Sequence, residues 1–187
     1  MHISNVGVVV CGVLTEGLLS EKDDVQIGPF KDGSYHASSV RSIRRNKQPV
    51  RSIRPGEAAS VALVLDKKSE ESIRRGMVLL DAKEAGTACW RFAARLCLLC
   101  HPASELGVNF QGTVYIGSVC QTVQVVDLDE QPEVPCRWVT VQFRFLISPE
   151  YVRTGTPLIF RQSKTKGIGE VMQIFTTDLK TQEVDVV

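Results

Sequence analysis

The sequence predicts an all-β protein, a pair of antiparallel barrels or sandwiches, and three observations carry that prediction. Short runs of Val, Ile and Leu are punctuated by Gly, Pro, Asp and Asn at the spacing of strands joined by turns. Only SEESIRRG (69–76) reads as a short helical turn, and no long amphipathic helix alternates with the strands, which argues against a parallel α/β sheet. In VTVQFRFLI, Val139, Val141, Phe143, Phe145 and Ile147 fall on one face and Thr140, Gln142 and Arg144 on the other, the period of a strand with one buried side.

In chain order, the first group of strands is VGVVVCGVL (6–14), DVQIGPF (24–30), YHASSVRSIRR (35–45), AASVALVL (58–65) and GMVLLD (76–81). The second is LGVNFQGTVYIGSVCQTVQVVDL, RWVTVQFRFLI, TPLIFRQ and GIGEVMQIF. Turn signals separate them at Lys31-Asp32-Gly33, Arg54-Pro55-Gly56 and Thr154-Gly155-Thr156-Pro157. A boundary falls at DAKEAGTA (81–88), where charge, Ala and Gly replace the strand pattern, and the polar tail TTDLKTQEVDVV (176–187) reads as frayed. VRSIR occurs at 40–44 and again at 50–54, which is too little for a repeat architecture but sets two Arg-bearing segments about the turn-like NKQP.

At 187 residues and 43% hydrophobic, the chain can bury a core as one domain or two small ones. Its 22 Lys plus Arg against 21 Asp plus Glu leave a net charge of +1, so a polyanion site must come from local clustering. No apolar run approaches the roughly 20 residues that span a bilayer, and the opening MHISNVGVVVCG lacks a signal-peptide pattern, so the expectation is a cytoplasmic protein without membrane contact. In that compartment the six Cys read as buried thiols.

Two motifs imitate cofactor sites. RLCLLCH (95–101) has the Cys-x-x-Cys-His spacing of haem attachment. RFAARLCLL is rich in helix formers, yet as a strand it places Phe92, Ala94, Leu96, Leu98 and Cys100 on one face and Arg95, Cys97 and His101 on the other, so the two thiols cannot share a metal without a bulge. Cys120 and Cys136 stand alone, and the remaining His are His2 and His36, so no metal is expected. Gly12-x-x-x-x-Gly17 is followed by Leu18 and Leu19 where a phosphate loop needs Lys and Ser or Thr, which points to a hairpin. With no Ser nucleophile elbow or zincin motif, the chain is expected to be non-catalytic.

The basic residues form two clusters. Arg41, Arg44, Arg45, Lys47, Arg51 and Arg54 lie within one stretch without an acid, enough to attract phosphates, though polar-out alternation produces such stripes too. Arg161, Lys164 and Lys166 stand beside Gly167 and Gly169. Neither cluster is interleaved with aromatic residues, so contact with RNA would be to backbone or shape.

Taken in order, the segments resemble the second and third domains of translational GTPases of the elongation factor Tu and 1-alpha group. VGVVVCGVLTEGLLSEKDDVQIGP resembles the opening of the second-domain barrel, VRSIRPGEAASVAL its Pro-Gly turn and SIRRGMVLL its closing segment. FAARLCLLCHP resembles the first strand of the third domain, ending at His101-Pro102, and LIFRQSKTKGIGEV its closing strand pair. The branch that matches is that of GTP-binding proteins 1 and 2.

The resemblance implies two closed antiparallel β-barrels, at 5–82 and 87–176, with a polar tail at 177–187. It implies a module that engages the ribosome, tRNA, or a tRNA-mimicking translation or rescue factor, with a protein-interaction scaffold as the alternative. Arg41, Arg44, Arg45, Lys47 and Arg51 would meet phosphates, and Arg161, Lys164 and Lys166 the tRNA or partner. NKQP (46–49) lacks the final carboxylate of a guanine reader, so GTP and Mg would belong to the G domain of a parent protein, leaving no cofactor in this chain.

Overall fold

The computed structural model describes residues 2–3, 7–100, 106–129 and 138–176, and the chain divides into two compact units. The first comprises residues 1–28, 35–73 and 79–85; the second comprises 29–34, 74–78 and 86–187. The expected features at His101-Pro102, Cys136 and the tail 177–187 lie outside the described residues.

Strands β1 (His2–Ile3), β2 (Gly7–Val13), β3 (Leu19–Ser20), β4 (Asp24–Gly28), β5 (His36–Arg45), β6 (Gln48–Val50), β7 (Ser52–Ile53), β8 (Ala58–Val64) and β9 (Val78–Asp81) follow the first group of apolar runs. Seven of them form one sheet in the order β1-β2-β8-β5-β4-β9, with β6 added on β5, while β3 pairs with β7. Among the described residues this sheet is an open path. Val25, Ile27, Val40, Ile43, Val61 and Leu63 are its buried side. A bulge in β5 between Val40 and Ser42 turns both Val40 and Ile43 inward and leaves Arg41 as the extra, exposed residue.

The helical turn expected at 69–76 forms earlier, as α1 (Lys67–Glu71). Asp66 takes an extended backbone conformation and its side chain accepts from the Ser69 N–H, so the cap sets the start and the turn ends at Ser72.

Strands β10 (Arg91–Cys100), β11 (Gln111–Ile116), β12 (Val119–Leu128), β13 (Trp138–Phe145), β14 (Pro157–Gln162) and β15 (Thr165–Phe175) close into a barrel in the order β10-β13-β12-β11-β14-β15. Closure removes sheet edges. Phe92, Phe143, Phe145 and Phe160 fill the interior with no exposed surface; Phe92 lies 5.5 Å from Phe143 and 5.1 Å from Phe145, and Phe143 lies 5.5 Å from Phe160, all between ring centroids.

One expected core residue is corrected. Ile147 keeps 62% of its surface because β13 ends at Phe145, and its N–H donates to Gln121 Oε1 in the bend beyond the strand.

RFAARLCLLC is strand throughout, which settles the helix–strand ambiguity: Phe92, Ala94, Leu96 and Leu98 face the core. Gly169, opposite Leu96 on β15, is required sterically, since a Cβ there would collide with the Arg95 carbonyl oxygen. The Gly-x-Gly of 167–169 therefore serves close strand approach. Among the described residues, no three His, Cys, Asp or Glu side chains converge as a metal site would need, and no helix is long and apolar enough to cross a membrane.

Candidate nucleic-acid interface

The first basic cluster is built on a hairpin. Arg45 pairs with Gln48, Arg44 with Pro49 and Ile43 with Val50, which leaves Asn46 and Lys47 as a two-residue turn. Their φ angles of 50° and 68° are both left-handed, the geometry that matches the twist of the flanking strands. Asn tolerates this region readily; Lys does so at some expense, and the turn holds the Lys47 side chain at an exposed tip.

Folding adds an acid that the linear stretch lacks. Glu57 Oε1 accepts from Arg45 Nη1 at 2.7 Å, while Glu57 Oε2 accepts from the Arg54 backbone N–H at 2.9 Å. Half of the Arg45 side chain is exposed, so the pair contributes at most about 1 kcal/mol, but it occupies one cation of the cluster. Arg44, Lys47 and Arg51 are exposed and have no ion pair among the described residues, whereas Arg41 sits on the bulge and is engaged in an interaction of its own. The two VRSIR copies are handled alike at their centres: Ile43 and Ile53 are both buried, and the arginines around them point to solvent.

The second cluster belongs to the other unit. Ser163 and Lys164 form the turn between β14 and β15, with Ser163 at φ 48°, and Arg161 stands directly opposite Lys166. Like charges facing one another across an antiparallel pair disfavour the sheet unless an anion lies near them. Beside Arg161 is a shallow groove of about 330 Å³ lined by Gln111, Thr113, Tyr115, Thr122 and Gln162. Sequence reasoning looked for aromatic neighbours along the chain; Tyr115 is brought close instead by strand pairing, through Thr113 opposite Arg161 and Tyr115 opposite Ile159.

A buried polar network in the second unit escaped the sequence altogether. Glu150, 2% exposed, accepts from Arg74 Nη1 at 2.7 Å and from Gln121 Nε2 at 2.5 Å. Arg74 Nη2 also donates to the carbonyls of Pro29 at 3.0 Å and Pro149 at 2.8 Å, while Gln121 Oε1 accepts from the N–H groups of Ile147 and Ser148. Burial raises the Glu150 carboxyl above its ordinary value of 4.5, against the pull of Arg74 and Gln121. Cys89, whose N–H and carbonyl both bond the backbone of Glu150, is pushed up to about 12 by burial and by that carboxylate, so its thiol stays protonated and inert.

The sign of the Glu150 shift gives a pH dependence. A carboxyl whose folded value is raised adds stability below its unfolded value of 4.5, and that stability is lost as pH rises through the folded value. Thermal melts of the parent chain and Glu150→Gln should therefore diverge as pH increases from 4.5, with the variant gaining relative to the parent. A difference independent of pH would show that Glu150 folds with an unshifted carboxyl.

Residues 7–80 match the family described as Elongation factor Tu domain 2, and that segment belongs to this family of translation-factor domains. Over nearly its whole length the chain is similar to the Homo sapiens GTP-binding protein 2, 37% identical over 173 residues, 92% of this chain and 28% of the relative. It is 33% identical to the Xenopus laevis GTP-binding protein 1 over 172 residues, 92% of this chain and 26% of that one. Similarity to the Pyrobaculum islandicum Elongation factor 1-alpha is 29% over 126 residues, 67% of this chain and 27% of the relative. The chain thus spans about a quarter of the length of these relatives.

Proposed function

We propose that this chain is the non-catalytic C-terminal module of a GTP-binding protein 1/2-like translational GTPase, which engages the ribosome, a tRNA or a tRNA-mimicking rescue factor in the cytoplasm. In this reading, residues 5–82 close as a second barrel in addition to the barrel at 87–176, with 177–187 as a tail, and GTP with Mg is used by a G domain elsewhere in the parent. The observation that carries the proposal is the left-handed Asn46–Lys47 turn, which presents Lys47 with Arg44 and Arg51 at a solvent-exposed tip. Such a tip suits a phosphate backbone, where each neutralised phosphate contributes additively and without base specificity.

Co-sedimentation with purified ribosomes across a salt series tests it. Binding should weaken as salt rises, and the triple change Arg44→Ala, Arg45→Ala, Lys47→Ala should lower the log–log salt slope by roughly 2, because Arg45 is partly neutralised by Glu57. A chain that remains in the supernatant at every salt concentration would mean that ribosome contact depends on the absent G domain or on a protein partner.

A further inference from the structure

Strand pairing in the second unit assembles a feature that the hairpin reading does not use and on which it does not depend. Tyr115 stands opposite Ile159, Ile159 opposite Ile168, Ile168 opposite Cys97, and Cys97 opposite Trp138. Directly opposed residues share a face, so these side chains form one row across β11, β14, β15, β10 and β13. It is the outer face, since the alternating neighbours Val114, Leu158, Phe160, Leu96 and Val139 fill the barrel interior.

Four strand spacings make the row about 19 Å long. Tyr115, Ile159, Ile168 and Trp138 remain 41%, 54%, 42% and 46% exposed, while Cys97, between Ile168 and Trp138, is buried at 6%. Isolated exposed apolar residues are ordinary; an aligned row with aromatic ends is an interaction surface. Part of it is concave: Trp138, Pro157, Ile159, Ile168 and Glu170 line a groove of about 450 Å³.

The flanks fix the chemistry of the occupant. On one side lies the Arg161–Lys166 pair, two opposed cations two residues further along β14 and two residues back along β15, with Lys164 in the adjoining turn. On the other lies Glu170, opposite both Pro157 and Arg95, and the Arg95 guanidinium sits 5.0 Å over the Trp138 ring. We infer that this face docks a protein segment carrying a carboxylate beside aliphatic or aromatic side chains. The apolar side chains lie along the row, the carboxylate bridges Arg161 and Lys166, and Glu170 sets the direction by repelling it from the opposite flank.

An RNA backbone fits this face less well. Phosphates gain nothing from two isoleucines, and Arg95 already covers one face of the indole on which a base would stack.

Selection from a displayed library of random peptides on the full-length chain tests the assignment. The recovered peptides should combine Asp or Glu with Leu, Ile, Phe or Trp. Their affinity should fall roughly tenfold in the double variant Ile159→Ser, Ile168→Ser, with the melting temperature recorded to verify folding. Repeating the selection on Arg161→Glu, Lys166→Glu should return basic peptides in place of acidic ones. The Arg44→Ala, Arg45→Ala, Lys47→Ala variant should keep peptide binding, which separates this surface from the hairpin. Peptides without an acidic preference, or binding indifferent to both double variants, would overturn the assignment. So would a duplex RNA that binds the chain and is lost on Ile159→Ser, Ile168→Ser.

Discussion

Replacing Arg74 with alanine is expected to destabilise the second unit by about 3–5 kcal/mol, because it strips the cation from a carboxylate buried to 2% exposure. The same change removes the donors to the Pro29 and Pro149 carbonyls, whereas Gln121 remains as a single neutral donor to Glu150. Urea unfolding followed by tryptophan fluorescence reads the loss directly. Adding Glu150→Gln to Arg74→Ala should recover part of it, since the uncompensated charge is then gone, and the double-mutant cycle should show coupling above about 1 kcal/mol. Additive losses would mean that Arg74 acts through packing and not through Glu150.

Truncating Phe143 to alanine should destabilise the barrel by about 3–5 kcal/mol as well, but through a cavity. Phe143 has no exposed surface and meets both Phe92 and Phe160 at 5.5 Å, so its removal opens a void in the middle of the aromatic stack. Ile147→Ala supplies the contrast. That residue is two positions beyond the strand end and largely exposed, and its loss should stay within about 0.5 kcal/mol. Equal sensitivity of the two positions would contradict the end of β13 at Phe145.

This pair of residues also marks how far period-two reading carries. Alternation identifies Val139, Val141, Phe143 and Phe145 as core because each neighbour along a strand reverses direction. It overruns at Ile147 because nothing in LIS announces that Gln121, 26 residues earlier, captures the backbone there. Strand existence is legible from apolar runs and turn residues, since both are local; the β5 bulge at Arg41 and the start of α1 at Asp66 depend on pairing and capping details that shift an element by a residue or more.

Long-range chemistry was legible only in part. The basic stretch from Arg41 to Arg54 could be read off directly, but Glu57, which neutralises Arg45, comes from the return strand's approach. The Arg74–Glu150 pair joins residues 76 apart, and no local pattern distinguishes Glu150 from the other acids of the chain. The apolar row is likewise invisible in sequence, where Tyr115, Ile159, Ile168 and Trp138 sit in different strands and each reads as an ordinary outward residue.

The division of the chain into interleaved segments bears on how such modules can be recombined. The polypeptide passes between the units at 28/29, 34/35, 73/74, 78/79 and 85/86, so neither unit is a contiguous cassette. A gene fusion or expression fragment cut at 85/86 would keep all six barrel strands and still orphan Glu150, because Arg74 is encoded twelve residues upstream of the cut in a segment that belongs structurally to the barrel. Exchange of the contiguous segment 1–85 for that of a relative would therefore keep the ion pair only if the replacement carried an arginine at this position, because both partners belong to the second unit although they are encoded on opposite sides of the cut.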